Sequence, residues 1–401
     1  MAKRDKNPNN NAQWAQNLQL RKRELRDKSY QPIHRLAYQI LPAHTIVISI
    51  GIGGDIKGDI IPKGVDFWNK QIEGFRSGIG RGLFTRGAID LEAEVDDTLV
   101  PIDQVLQQIY EVIIRPVAAH LPEKGSPLLI EPFGALWQIP FHLLRSSDDT
   151  YLGDQYLISY APSFDIFEQI QKERVLPIRS EDTFLFGGLG KGQQIGDFNF
   201  YELPNAEAEV STIVRDILHL PDENLVIGTE CTKDGIQKRM SGSRILHLSA
   251  HGEANLEHPD KSFIAFSGDT PESAFLTANE IAHDVNLLGC EMVVLSACKS
   301  GLGKVMSEGM IGLARAFLIA GARSVIVSLW SVEDASTKLL MEQFYLNLIK
   351  TQGQKAAALQ QAMQTVQTMD GRAHPRCWAP FILIGAQDCD WQVGTMHEGA
   401  S

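Results

Sequence analysis

The sequence predicts an α/β protein in which a mostly parallel sheet is sandwiched between helices. Three observations lead there. Short apolar runs such as Thr183-Phe184-Leu185-Phe186, Ile245-Leu246-His247-Leu248 and Val293-Val294-Leu295 read as strands buried on both faces. Stretches with helical spacing separate them. Two of the runs end in a reactive side chain among small residues: a histidine in Ser249-Ala250-His251-Gly252 and a cysteine in Ser296-Ala297-Cys298.

Residues 1–37 are polar, with one helical stretch around Trp14, Leu18 and Leu25. Thr45 to Ile50 is a β-branched run and reads as a strand. Gly51 to Lys70 is glycine-rich and reads as irregular, and Ile102 to His120 has the spacing of a helix. Leu128-Leu129-Ile130 is a short strand, Pro132-Phe133-Gly134 a turn, and 151–163 an extended segment. A second block opens with the strand at Thr183. Gly187 to Asn199 reads as a flexible loop, either a plain surface connection or a segment that reorganises on activation. An amphipathic helix follows from Ala206 to His219. Strands at 244–250, 292–297 and 324–330 then alternate with helices at Ser307 to Ala320, 334–350 and 354–368. Thr277-Ala278-Asn279-Glu280 is a capping box that opens another helix.

The 401 residues, 44% of them hydrophobic, suffice for two domains or one large one. Formal net charge is -12, which disfavours non-specific binding of nucleic acid. The first 40 residues differ: nine Lys or Arg against three Asp or Glu give +6, leaving -12 − 6 = -18 for the rest. That split suits either a docking arm for an acidic partner or a solvated helix. No apolar run follows the polar start, so no secretory signal is expected, and no run reaches membrane-spanning length. Cys231, Cys290, Cys298, Cys377 and Cys389 include no Cys-x-x-Cys pair, which points to a cytoplasmic protein with reduced thiols.

A thiol attacks a peptide carbonyl only as the thiolate, so it needs a base that takes its proton and returns it to the leaving amine. Parallel strands present their C-terminal ends on one edge, where an open α/β sheet places its ligand site. If the two strands are neighbours, His251 and Cys298 meet there, with the amides of Gly252 and Cys298 as oxyanion-hole donors. Their separation, 298 − 251 = 47 residues, fits the caspase spacing of roughly 50. No metal or organic cofactor is required. His247 and His251 lack the Glu of the zinc-peptidase motif, so His247 reads as a core or supporting residue. Gly51-Ile52-Gly53-Gly54 and Gly190-Lys191 both fail the phosphate-loop patterns.

Leu246 to Gly252 and Val294 to Gly301 resemble the two signature segments of the CHAT family, caspase-like peptidases related to separase and the caspases. Further similarity lies in Pro132-Phe133-Gly134-Ala135-Leu136-Trp137-Gln138-Ile139-Pro140-Phe141, where Phe133 replaces the usual Asp. It continues in Leu203-Pro204-Asn205-Ala206-Glu207-Ala208-Glu209, Gly312-Leu313-Ala314-Arg315-Ala316-Phe317 with Ala320-Gly321-Ala322, Ser328-Leu329-Trp330-Ser331-Val332-Glu333-Asp334 and Trp378-Ala379-Pro380-Phe381. The resemblance spans about residues 103–387. It implies a caspase-like fold, a His251–Cys298 dyad with Gly252 at the oxyanion, a protein substrate and a protein activator. Any nucleic acid would be reached only through a partner. It also implies a protease in bacterial signalling or defence that a partner or ligand switches on. Asp334 follows the strand beyond the cysteine, where relatives build the S1 pocket, so it is a candidate for selecting Arg or Lys at P1. Its other reading is an N-cap for a helix starting at Ala335. The expected organisation is a basic segment over 1–37, an N-terminal region over 38–180 and a peptidase region over 181–390. A degenerate caspase-like half is one reading of the middle region. A silent interaction module and a thiol-dependent transferase remain as alternative functions.

Overall fold

A computed structural model describes residues 34–40, 45–50, 56–61, 63, 65–79, 101–132, 134–172, 175–255, 258–296, 307–330 and 333–393. The helix expected around Trp14, the glycine run at Gly51 and the segment from Ala297 to Gly301 with Cys298 lie outside them.

The N-terminal part contributes β1 (His34–Ile40), β2 (Thr45–Ile50), β3 (Ile56–Ile61), β4 (Pro127–Glu131) and β5 (Leu157–Tyr160). The rest contributes β6 (Phe184–Gly188), a hairpin of β7 (Gln193–Ile195) and β8 (Phe198–Phe200), β9 (Leu225–Ile227) and β10 (Ile245–Ser249). A small meander follows, β11 (His251–Glu253), β12 (Phe263–Ala265) and β13 (Phe275–Thr277), then β14 (Met292–Leu295), β15 (Ser324–Ser328) and β16 (Phe381–Gly385). Among the described residues one sheet of 11 strands runs through both parts, in the order β3-β2-β1-β4-β5-β16-β15-β14-β10-β6-β9. Its pairings are parallel except β1 with β2, β2 with β3 and β15 with β16.

Strands β6, β10, β14, β15 and β16 are buried along their whole length, because helices cover both faces. One layer joins Ala206–Thr212, Asp334–Lys350, Lys355–Gln367 and Pro375–Trp378, which pack on one another and on β5, β6, β10 and β16. The other joins Val65–Ile79, Ile102–Ile113, Ala278–Asp284 and Ser307–Ala320, the last packing on β15. This is the expected α/β sandwich. Among the described residues no helix is long and apolar enough to cross a membrane.

Four local expectations fail. Gly51 to Lys70 is not irregular where described: β3 zips antiparallel onto β2, and a helix starts at Val65. That helix buries Trp68, Ile72, Phe75 and Ile79, a spacing that the glycines nearby obscured. Ile102 to His120 is not one helix: it stops at Ile113, and Arg115–His120 tightens into a 3₁₀ turn around Pro116, which has no N–H to continue the ladder. The segment 151–163 is extended only in β5, because Leu152–Gln155 coils into one helical turn, too short to show a period. Gly187 to Asn199 is not one loop: Gly187 and Gly188 finish β6, only 189–192 are irregular, and Gln193 to Asn199 fall in the β7–β8 hairpin. Gly196, at φ +57°, and Asp197 form the two-residue turn, with glycine first as a type II′ turn requires.

Candidate active site

β10 and β14 are parallel neighbours, with Leu248 opposite Leu295. Beyond β10 the chain leaves the large sheet and starts β11 at His251, so the imidazole stands where the two sheets part. Gly252 is the second residue of β11, opposite Ile264 of β12. Strand β14 ends at Leu295 and Ser296 is the next buried residue; Cys298 is beyond the described part.

His251 is 2% exposed, and its Nε2 lies 2.6 Å from the carbonyl oxygen of Tyr201. A carbonyl only accepts, so Nε2 carries a proton, and in the neutral form of the ring the lone pair is at Nδ1. The ring also packs on Phe200, centroids 5.2 Å apart. Phe200 belongs to a cluster built by the hairpin and the meander. Phe263 and Phe275 stack at 3.9 Å, and Phe198 meets both edge-on. Burying Phe200, Phe263 and Phe275 fixes the hairpin, and the hairpin delivers the Tyr201 carbonyl to the imidazole. Just beyond, Leu203 N–H donates to the Gly190 carbonyl at 2.8 Å.

Asp334 is the first residue of the helix Asp334–Lys350, whose N-cap is Glu333. The capping role expected for it is therefore corrected: its carboxylate leaves its own helix and crosses to another segment. Oδ2 accepts from the backbone N–H of Asn205 at 2.7 Å and from the Asn205 side-chain amide at 2.9 Å. Asn205 is four residues after Tyr201, so Asp334 and His251 hold the two ends of one short stretch of chain.

His247, two residues before the end of β10, faces the layer of Ala206–Thr212 and Asp334–Lys350. It is fully buried, with Nε2 2.8 Å from Glu209 Oε1 and Nδ1 3.1 Å from the Tyr345 hydroxyl. Phe186 stacks on it at 5.8 Å. The supporting role read from the sequence agrees with these contacts. Among the described residues no group of three or more His, Cys, Asp or Glu gathers as a metal site.

The other four cysteines are buried. Burial pushes the thiols of Cys231 and Cys290 up to about 12 and that of Cys389 to about 11, the reverse of what a nucleophile needs. Gly190 donates its N–H to the Glu207 carboxylate at 3.2 Å, and a carboxylate in that place repels a phosphate.

Tyr201, Asn205, Glu209 and Tyr345 carry no role in the sequence reading. Tyr201 acts through its main chain and leaves no side-chain signal. Asn205 and Glu209 lie within the Leu203-to-Glu209 segment that resembles a CHAT-family segment, which was the available pointer.

A family model described as the CHAT domain matches residues 103–386. Human tetratricopeptide repeat protein 28 is 28% identical over 329 residues, covering 70% of this chain and 13% of that protein. The mouse protein of the same name is 26% identical over the same length and shares. The chain thus spans about an eighth of the length of these curated relatives. The structure of the Saccharomyces cerevisiae separase–securin complex superposes with a TM-score of 0.51 at 10% identity, over 90% of this chain and 30% of that one. At that identity the likeness speaks for the fold, an α/β arrangement of the caspase-like kind. With the model match extending over well more than half of its length, the chain belongs to the CHAT domain family.

Proposed function

We propose that this chain is a cysteine endopeptidase in which His251 is the base and Cys298 the nucleophile. One observation carries the reading. Leu248 and Leu295 are register partners on neighbouring parallel strands, and His251 and Cys298 each follow three residues later in sequence. The Tyr201 carbonyl supports it, because a proton fixed on Nε2 makes Nδ1 the basic atom.

In this mechanism Nδ1 takes the thiol proton as sulfur attacks the scissile carbonyl. The amides of Gly252 and Cys298 hold the oxyanion. The proton then passes to the departing amine, leaving a thioester that water hydrolyses, with the same imidazole as base. Asp334 has its Oδ2 engaged by Asn205 and would offer its other oxygen to a basic P1 side chain. The proposed biological setting is bacterial signalling or defence, with a partner or ligand switching on cleavage of a specific protein; the family resemblance supports this.

The test is co-expression with candidate protein partners, comparing wild type with Cys298→Ala and sequencing the new termini. Fresh termini after Arg or Lys, lost in Cys298→Ala, are expected. Cleavage that persists in that variant overturns the mechanism.

A further inference from the structure

The two parts of the large sheet meet at a thin seam. Among the described residues β5 and β16 share one register pair, Tyr160 with Ile384, whereas β4 and β5 share four. Side chains take over some of the work: Gln387 Nε2 donates to Ser159 Oγ at 2.7 Å across the seam.

Over this seam lies a pocket of about 490 Å³, counting its open mouth. Its floor crosses the seam, with Ile158 and Tyr160 from β5 and Ile382 and Leu383 from β16. Leu359 and Met363 of the helix Lys355–Gln367 form an apolar wall. The lining also carries aromatic rings and one exposed carboxylate: Tyr151, Tyr156, Trp378 and Asp154. Tyr151 and Trp378 meet edge to face, centroids 5.6 Å apart.

The charge balance is one-sided. Neither Lys nor Arg lines the pocket. His142, the basic residue that does, is kept neutral: burial lowers it to about 4 while its Nε2 donates to the Ala379 carbonyl at 2.9 Å. Arg145 lies 5.3 Å from the Tyr151 ring centroid, but its charge is matched by Asp103 at 2.9 Å and Asp149 at 3.4 Å. The exposed Asp154 carboxylate accepts from Gln364 Nε2 at 3.1 Å, and among the described residues no Lys or Arg pairs with it.

We propose that this pocket binds a small organic ammonium compound, its cation between the Asp154 carboxylate and the aromatic rims and its apolar body on the seam. Aromatic faces attract an ammonium, and the attraction grows where water is excluded. The carboxylate selects the sign of the ligand and the aliphatic wall selects its body. A ligand seated there touches both β5 and β16, so it ties together the two parts of the sheet where their backbone pairing is thinnest. The inference stands apart from the proposed peptidase chemistry, because none of these residues belongs to that site.

Phenethylamine is the probe, and 3-phenylpropionate is its counterpart of similar shape and opposite charge. Calorimetric titration of the full chain is expected to show saturable binding of the amine and an affinity about tenfold or more lower for the acid. Asp154→Asn, which keeps an acceptor for Gln364, is expected to weaken the amine by a similar factor. Met363→Trp fills the cavity and is expected to abolish binding while the melting temperature stays near wild type. Should that variant unfold, hydrogen exchange decides: the amine slows exchange in Leu157–Tyr160 and Phe381–Gly385. No binding of the amine, equal binding of amine and acid, or protection elsewhere in the chain overturns the proposal.

Discussion

The main-chain carbonyl of Tyr201 holds the imidazole of His251 at Nε2, 2.6 Å away and 50 residues earlier in the chain. In the proposed peptidase this contact, with the proton on Nε2, leaves Nδ1 as the basic atom. In the proposed peptidase, His251→Ala is expected to lower kcat/KM by on the order of 10² to 10⁴, the usual share of a general base. Tyr201→Ala keeps the carbonyl, so kcat and its pH profile are expected to stay near wild type, any loss appearing in KM. Steady-state kinetics over a pH series checks this. A Tyr201→Ala variant as damaged in kcat as His251→Ala would show that the ring is oriented by something else.

Asp334 allows a second test, because its two suggested roles respond differently to the same pair of substitutions. Asp334→Asn keeps an oxygen to accept from the Asn205 backbone N–H but removes the charge. If the carboxylate reads P1, a peptide-library profile of that variant loses its preference for Arg and Lys while the melting temperature barely moves. Asp334→Ala removes both bonds to Asn205, and about 1–3 kcal/mol of stability is expected to go with them. An unchanged P1 profile in Asp334→Asn would leave the residue as a tether for the Tyr201-to-Asn205 stretch and nothing more.

What the sequence disclosed and what it hid follow one physical line. The central strands were legible because burial on both faces leaves an apolar run that no surface segment shares, as in Ile245 to Leu248. The capping box at Thr277 was legible because its two bonds are local: Glu280 N–H to Thr277 Oγ1 at 3.2 Å and Thr277 N–H to Glu280 Oε2 at 2.9 Å. The β7–β8 hairpin was missed although Gly196-Asp197 between Ile195 and Phe198 is a two-residue turn signal; the glycines before it pulled the whole stretch toward a loop. The partners of His251, His247 and Asp334 were hidden for another reason. They lie 50, 38 and 129 residues away in sequence, and only the closed fold brings them into reach.

His142 predicts how stability responds to acid. Burial lowers its value from the ordinary 6.5 to about 4, since a charged ring there loses its water. The unfolded chain therefore takes up the proton first as pH falls. The stability tied to the neutral ring is complete above 6.5 and is lost progressively down to about 4. His142→Gln can still donate to the Ala379 carbonyl and does not titrate. Between pH 7 and pH 5, wild type is expected to lose about 2 kcal/mol more than this variant in urea unfolding. Parallel losses in the two proteins would mean that His142 is not held neutral.

The buried chain Glu209–His247–Tyr345 sets the last expectation. Burial raises the Tyr345 hydroxyl well above its ordinary value, so it stays protonated and donates to His247 Nδ1 at 3.1 Å. His247 Nε2–H in turn donates to Glu209 at 2.8 Å. Each bond fixes the tautomer that the other needs. Tyr345→Phe leaves Nδ1 without its donor and is expected to cost about 1–3 kcal/mol, as does Glu209→Ala, which also opens a void. With either partner gone the ring can flip or exchange its proton, so the second substitution has less left to break. The double variant is therefore expected to be less destabilised than the sum of the singles, by about 0.5–2 kcal/mol in a double-mutant cycle from denaturant titrations. Strict additivity would mean that the two bonds act on His247 independently, and that β10 is held by packing alone.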